Sequence, residues 1–267
     1  MERLPYETFL PKEWRIPVII SAPHVGTELP FAIKDKLDET LANQLPDTDW
    51  FVDELYDFAS EMGAVLVKAR YSRYVIDLNR PVDGPTLYTD NRRQTEAIPS
   101  TSFEGVPLYK DGYQVDEAER MRRIELYYRP YYDELHAHIE RGLEEFGKIL
   151  LWDAHSIKRL VRSIQAEPFP DLMLGDRDGH TAAPELVERA LAELKASPYS
   201  VAYNTPFKGG QITRFHGHSV PGLYAMQLEM SQDIYMTDGF LDQQKAGLLK
   251  PVLKRTLLSL AEGMKML

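Results

Sequence analysis

The stretch 149–156, Ile-Leu-Leu-Trp-Asp-Ala-His-Ser, restricts the possible folds of this chain more than any other. A continuous apolar run bounded by polar residues is typical of a strand that is covered on both faces. In open α/β sheets, ligands bind outside the carboxyl ends of such strands. We therefore expect His155 at the rim of a cleft, with Asp153 on the same side of the strand. The alternative is a core strand that carries a capping Asp and an isolated His.

The length and patterning of the chain favour one α/β domain. Its 267 residues suit one large domain or two small ones and are enough to bury a sizeable core. No internal repeat and no low-complexity linker divides the sequence, so we predict a single domain over residues 1–267. The remaining pattern predicts helices over 31–45, 50–62, 113–147, 184–196 and 242–264, strands over 64–67, 172–174 and 199–203, and an irregular excursion over 84–112.

The charge and the residue usage exclude several classes of function. A formal net charge of -10 argues against general affinity for nucleic acid or anionic membranes. No apolar run is long enough to cross a bilayer, and the first residues lack the features of a signal peptide. There is no cysteine, so any metal must be held by His, Asp or Glu. We expect a cytoplasmic enzyme with a small-molecule substrate. The sequence does not indicate whether the protein is a monomer or an oligomer.

A second predicted strand, 17–22, also leads into a potential metal ligand. It runs into a loop punctuated by Pro and Gly that carries His24, for which a loop histidine bonded locally is the alternative. Asp47 and Asp49 lie just before an amphipathic helical run. Both are natural N-cap residues, but a carboxylate at a helix start can also face a cleft.

Two further predicted strands carry polar groups suited to substrate binding and proton transfer. Asn79 and Arg80 follow a predicted strand at 75–78 and would form a carboxylate clamp, unless Arg80 pairs with a nearby Asp on the surface. Glu229 is a lone carboxylate in the apolar strand 223–230. Partial burial would raise its pKa toward the range of a general base, and a salt-bridged edge residue is the alternative.

Four other histidines are predicted to have structural roles. His136 and His138 are two residues apart and point to different sides of a helix, so we assign them to solvent or packing. The His-Gly-His sequence at 216–218 resembles a metal-binding pair, but its glycine favours a surface loop.

Two imidazoles, a carboxylate, a separate Glu and an Arg clamp at one sheet edge together predict a catalytic zinc site. Such sites hold three protein ligands and leave a position open for water. Zinc lowers the pKa of water toward neutrality, and a Glu removes its proton. Asp153 is then expected to orient a ligand ring from behind.

The sequence also resembles the N-formylglutamate amidohydrolase family over nearly the whole chain, from Pro17 to about Met236. The segments that carry the resemblance are 21–26, 47–50, 71–80, 151–156, 209–214 and 226–229. The resemblance implies a fold similar to that of zinc carboxypeptidases, of the phosphorylase/hydrolase-like class: three layers, α/β/α, with a mixed central sheet. It also implies hydrolysis of N-formyl-L-glutamate to formate and L-glutamate, the last step of one bacterial route of histidine breakdown.

The resemblance further implies roles for individual residues. His24 and His155 match the two zinc imidazoles. The ligating Glu of carboxypeptidases falls at Thr27 here, with Glu28 one residue further on, so we take Asp49 as the third ligand in preference to Asp47 or Glu28. The other implied roles are substrate α-carboxylate binding by Asn79 and Arg80, and general-base catalysis by Glu229.

The side-chain carboxylate of glutamate needs a further cation. On chemical grounds we assign it to Arg73 or Arg214. Two alternatives remain open from the sequence: a zinc amidohydrolase or carboxypeptidase-like enzyme for another N-acyl amino acid, and a catalytically silent anion-binding protein on the same scaffold.

Overall fold

A computed structural model describes residues 3–83 and 95–267 of the chain. The strands are β1 (Tyr6–Phe9), β2 (Val18–Ala22), β3 (Val65–Ala69), β4 (Ile149–Ile157), β5 (Leu172–Gly175), β6 (Val201–Tyr203), β7 (Leu223–Ser231), β8 (Met236–Thr237) and β9 (Phe240–Leu241). The α-helices are α1 (Phe31–Lys34), α2 (Glu39–Gln44), α3 (Val52–Leu55), α4 (Ala59–Met62), α5 (Glu117–Arg123), α6 (Arg129–Phe146), α7 (Pro184–Lys195), α8 (Gln211–His216) and α9 (Gln243–Met264).

A seven-stranded mixed sheet forms the centre of the fold, in the order β1-β3-β2-β4-β7-β5-β6. The four consecutive strands β3, β2, β4 and β7 run parallel to one another, whereas β1 is antiparallel to β3 and β5 is antiparallel to β7. All nine residues of β4 are buried, as a central strand covered on both faces requires. The predicted mixed sheet is confirmed.

Helices cover both faces of the sheet, and the alternation of side chains along β4 assigns each residue to one of them. Leu150 and Trp152 belong to the larger apolar cluster, which also contains residues of α3, α4, α7 and α9. Ile149 and Leu151 belong to a second cluster, which contains residues of α6. The architecture is therefore the predicted three-layer α/β/α arrangement. The prediction of a single domain over 1–267 stays a prediction.

Several predicted elements differ from the observed ones. Residues 75–78 form turns instead of a strand, so that prediction is wrong; Val75 and Leu78 are buried against separate apolar clusters without pairing in the sheet. The predicted helix over 31–45 is two short helices, because Asp38 caps α2 by accepting from the Leu41 N–H at 3.0 Å. The helix over 50–62 is likewise divided into α3 and α4.

Other differences lie in the longer helical region and the loops. A π-helical segment at 124–128 joins α5 to α6, and Pro130 is the second residue of α6. Of the predicted excursion over 84–112, residues 84–94 lie outside the described residues, and 95–112 are irregular. His216 is not in a surface loop, because it ends α8 and is buried against Tyr132.

The helices that the structure describes include none with the length and apolar character that crossing a membrane would need. This finding agrees with the absence of a long apolar run in the sequence.

Candidate metal centre and active site

Four polar side chains replace the apolar ones at the carboxyl ends of β4 and β7. Asp153 and His155 continue the face of β4 that carries Ile149 and Leu151, and Gln227 and Glu229 continue the matching face of β7. The register pairs Asp153 with Gln227 and His155 with Glu229. The two central strands therefore bring four polar groups to one edge of the sheet, where α/β folds bind ligands.

His24 and Asp49 reach the same edge from two loops. His24 lies two residues after β2, the other neighbour of β4, and its backbone carbonyl accepts the Asp49 N–H at 3.0 Å. The Nδ1 atoms of His24 and His155 are 3.2 Å apart. Asp49 Oδ2 lies 3.0 Å from His155 Nδ1 and 3.6 Å from His24 Nδ1. These three buried side chains form a group able to hold one metal ion.

The spacing of the three donor atoms suits a tetrahedral zinc ion. Zinc–nitrogen and zinc–oxygen bonds of about 2.0–2.2 Å place neighbouring tetrahedral ligands roughly 3.3–3.6 Å apart. The observed separations run from 3.0 to 3.6 Å. Two imidazoles and one carboxylate also match the ligand set of known catalytic zinc sites, which leave a fourth position open. The residues present therefore fit the metal.

A second carboxylate contacts each imidazole at Nε2, the nitrogen on the side of the ring away from the three grouped donor atoms. Asp77 Oδ1 lies 2.8 Å from His24 Nε2, and Asp153 Oδ2 lies 2.9 Å from His155 Nε2. This contact places the proton of a neutral ring on Nε2 and leaves the Nδ1 lone pair free for a metal. Asp153 was predicted for this position. Asp77 was missed, although an acid within the apolar segment Val-Ile-Asp-Leu is a signal for a buried functional group.

The two alternative carboxylates for a third ligand face elsewhere. Asp47 Oδ2 accepts hydrogen bonds from the Tyr74 hydroxyl at 3.0 Å and the Phe103 N–H at 2.8 Å. The Glu28 side chain is 44% exposed and lies 3.4 Å from Arg70. Among these three acids, Asp49 is the one beside the imidazole rings.

The charges around the rings favour a positive charge between them. The carboxylates of Asp49, Asp77 and Asp153 are all buried, and the Arg73 guanidinium compensates only one of the three. Burial opposes the charged form of His155, but Asp153 and Asp49 outweigh it and hold the pKa of the ring well above its usual value. Burial also opposes ionisation of Asp49, yet hydrogen bonds to the two rings hold its pKa below the usual value. One divalent cation would neutralise the remaining two negative charges.

Glu229 lies in the same pocket as the three potential ligands and is buried. Its Oε2 accepts a hydrogen bond from Gln227 Nε2 at 3.1 Å. Burial raises the pKa of Glu229 to about 8, even though the nearby His155 opposes the shift. A cation at the three ligands would lower this pKa again, toward the range of a group that both accepts and returns a proton.

The four residues predicted to bind substrate lie at different places. Arg73, Asn79 and Arg80 line the pocket, whereas Arg214 is not among the described residues that line it. Arg73 Nη2 donates to Asp77 at 2.7 Å, and Arg80 Nε donates to the Thr95 hydroxyl at 2.6 Å. Arg214 Nε donates to the carbonyl of Gly209 at 2.9 Å.

The amide of Asn79 joins the metal centre to α8. Its Nδ2 donates to Asp153 Oδ2 at 2.9 Å and lies equally close to His155 Nε2. Its Oδ1 accepts the Ile212 N–H at 2.8 Å. Because an N–H donor faces the oxygen and a carboxylate faces the nitrogen, the amide has one consistent orientation.

Comparison with known proteins identifies the family of this chain. The family model of N-formylglutamate amidohydrolases matches residues 16–236. The N-formylglutamate deformylase of Pseudomonas putida is 44% identical over 225 residues, covering 84% of this chain and 83% of that protein. The N-formylglutamate deformylase of Pseudomonas aeruginosa PAO1 is 42% identical over 228 residues, covering 85% of each chain.

A solved structure gives the same result. The crystal structure of N-formylglutamate amidohydrolase from Ralstonia eutropha JMP134 superposes with a TM-score of 0.82 at 28% identity, covering 99% of each chain. The family resemblance read from the sequence is thereby confirmed. This chain belongs to the N-formylglutamate amidohydrolase family, whose members cleave an amide bond.

Proposed function

We propose that this protein hydrolyses N-formyl-L-glutamate to formate and L-glutamate with one zinc ion held by His24, Asp49 and His155. The observation that carries the proposal is the meeting of these three donor atoms, at separations suited to tetrahedral zinc, in a pocket that Glu229 also lines. The names of the two Pseudomonas relatives supply the substrate. Asp153 and Asp77 would orient the two ligand rings.

Glu229 would act as general base and then as general acid. When bound, zinc supplies a Lewis acid that polarises the formyl oxygen and acidifies water. Glu229 takes one proton from the attacking water, whose oxygen forms a bond to the formyl carbon. As the carbon–nitrogen bond breaks, Glu229 gives this proton to the amine nitrogen of glutamate. The pocket position and the burial of Glu229 support this role.

Arginines in or near the pocket would bind the two carboxylates of the substrate. Arg80 and Asn79 are proposed for the α-carboxylate, and Arg73 or Arg214 for the side-chain carboxylate. The position of Arg80 and Asn79 in the lining of the pocket supports the first assignment. Contacts with the Thr95 hydroxyl and the Asn79 carbonyl hold the Arg80 guanidinium in place. Arg73 contacts Asp77, so a substrate carboxylate would share its guanidinium.

The proposal extends to the setting of the reaction. From the family resemblance we propose that formate release is the last step of one bacterial route of histidine breakdown, and from the composition that the reaction takes place in the cytoplasm. A strongly acidic protein that binds a dianion must concentrate its cationic groups locally, as Arg73 and Arg80 do in this pocket.

Rates on three acyl-glutamates test the choice of acyl group. We expect kcat/KM for N-formyl-L-glutamate to exceed that for the N-acetyl and N-succinyl compounds by about 10- to 200-fold. This is the range of discrimination that one extra methylene produces in a pocket fitted to the smaller substrate. Product formation by the zinc-loaded protein is the measurement. A higher rate on an acetyl or succinyl substrate would assign the enzyme to another N-acyl amino acid. Zinc-loaded protein that hydrolyses none of the three would instead be a silent anion-binding protein.

A further inference from the structure

The side-chain amide of Gln227 lies between a backbone N–H and the carboxylate of Glu229. Gln227 is buried, and it projects from the same face of β7 as Glu229 because the two residues are two apart in a strand. Its Oε1 accepts the N–H of Gly210 at 2.7 Å. Its Nε2 donates to Glu229 Oε2 at 3.1 Å. The amide thus links the carboxylate to the backbone before α8.

The Gly210 backbone fixes which way this amide points. A backbone N–H is only a donor, so it requires the oxygen of Gln227. The NH₂ group must then face Glu229, because the reverse orientation would place two donors together and oppose the amide oxygen to a carboxylate oxygen. Glu229 Oε2 is therefore an acceptor in this arrangement, and Oε1 is the oxygen left for another partner.

The backbone at Gly210 is itself tightly held. A Cβ added there would lie 2.3 Å from Asn79 Nδ2, so only glycine allows this approach. Two residues further on, the Ile212 N–H donates to Asn79 Oδ1. One backbone segment therefore orients two amides: Asn79, which contacts Asp153 behind the His155 ring, and Gln227, which contacts Glu229.

We propose that Gln227 is a positioning residue for Glu229. It holds Oε2 as an acceptor and directs Oε1 to the proton that Glu229 takes from water and returns to the leaving amine. Gln227 itself neither binds zinc nor transfers a proton. The inference rests on the proposed function, because it assumes that Glu229 is the base.

Replacing Gln227 with Met tests the role of the amide. Met fills a similar volume but offers the carboxylate no N–H donor. In Gln227→Met we expect kcat for formate release to fall by about 10- to 100-fold, the usual loss when a supporting contact of a catalytic group is removed. KM should change by less than about threefold, and the protein should still bind one equivalent of zinc, because the metal ligands are untouched.

A second variant separates hydrogen-bond polarity from packing. Gln227→Glu keeps the length of the side chain and the contact with Gly210, but it opposes a carboxylate to Glu229 Oε2. We expect kcat to fall at least as far as in Gln227→Met, with zinc retained. If Gln227→Met does not fold, as judged by circular dichroism, Gln227→Glu decides the test.

Asn204 offers a matched control outside the pocket. Its Oδ1 accepts the Asp176 N–H at 3.0 Å, and its Nδ2 donates to the Asp176 carboxylate at 2.8 Å, which repeats the pattern of contacts made by Gln227. Asn204→Ala should lower the melting temperature and leave kcat unchanged.

Four results would overturn the inference: wild-type kcat in either folded Gln227 variant, a rise in KM with kcat unchanged, loss of zinc from either Gln227 variant, or an equal fall of kcat in Asn204→Ala. A zinc-loaded wild-type protein that releases no formate would contradict the proposed function instead, so the two failures are distinguishable.

Discussion

Glu229→Gln is expected to lower kcat for formate release by about 10²- to 10⁴-fold, the range that positioned acid–base groups contribute. Glutamine has nearly the shape of glutamate and can keep the packing of the buried site, but it cannot accept a proton from water. One equivalent of zinc should remain bound, because Glu229 is not among the three grouped ligands. Steady-state kinetics with saturating substrate, together with metal analysis of the same sample, measure both quantities.

Glu134→Gln is a suitable control for this experiment. Glu134 is a part-buried glutamate that contacts Thr8 and His138 and is not among the described residues that line the catalytic pocket. Its replacement should leave kcat unchanged. Wild-type turnover in Glu229→Gln would end the assignment of Glu229 as the base, whereas loss of zinc from that variant would make it a ligand.

Asp49→Asn is expected to weaken zinc binding by more than about 100-fold. Removing residues that only support a ligand commonly weakens metal affinity 10- to 100-fold, and Asp49 is proposed to bind the ion directly. The amide also lacks the negative charge that the cation would neutralise. Competition with a chromophoric chelator measures the affinity, and formate release at limiting zinc should fall in parallel.

The same substitution two residues earlier is the control. Asp47 contacts Tyr74 and Phe103 instead of the imidazole rings, so Asp47→Asn should retain zinc at nearly wild-type affinity. Glu28→Gln should also retain it, because the Glu28 side chain is partly exposed and paired with Arg70. Zinc loss in either control with zinc retained in Asp49→Asn would move the third ligand to that residue.

The central strands were predictable because their sequence reflects their burial. The apolar run before Asp153 is long and unbroken, and the structure covers β4 on both faces. The same reasoning found β7, α7 and α9, whose apolar patterns extend over whole elements. In contrast, β1 was missed, because this short edge strand is only partly buried and carries no strong apolar alternation.

The segment 75–78 was predicted as a strand from its apolar pattern, but it is a buried turn. Its Val-Ile-Asp-Leu sequence is that of a buried strand, but its apolar side chains fill two clusters from a turn, and Asp77 points to His24. Burial alone does not decide between a strand and a buried turn, because both select apolar residues. Only the tertiary packing distinguishes them.

The candidate site was partly visible in the sequence for a related reason. His155 and Glu229 interrupt apolar strands. Burying a polar or ionisable group costs free energy of folding, so such a residue in a buried strand indicates a functional role. The contact of Asp77 with His24 joins residues 53 positions apart, and the Gly210–Gln227 contact depends on backbone geometry. Neither leaves a periodic signal. The substrate-binding role of Arg214 stays a prediction.

Zinc titration of metal-free protein, with formate release as the readout, tests the central claim most directly. After removal of metal by a chelator, we expect no release of formate from N-formyl-L-glutamate. Added zinc should restore activity linearly up to one equivalent per chain and not beyond, because His24, Asp49 and His155 form one site. Full activity in protein shown by metal analysis to be free of divalent ions would contradict the account.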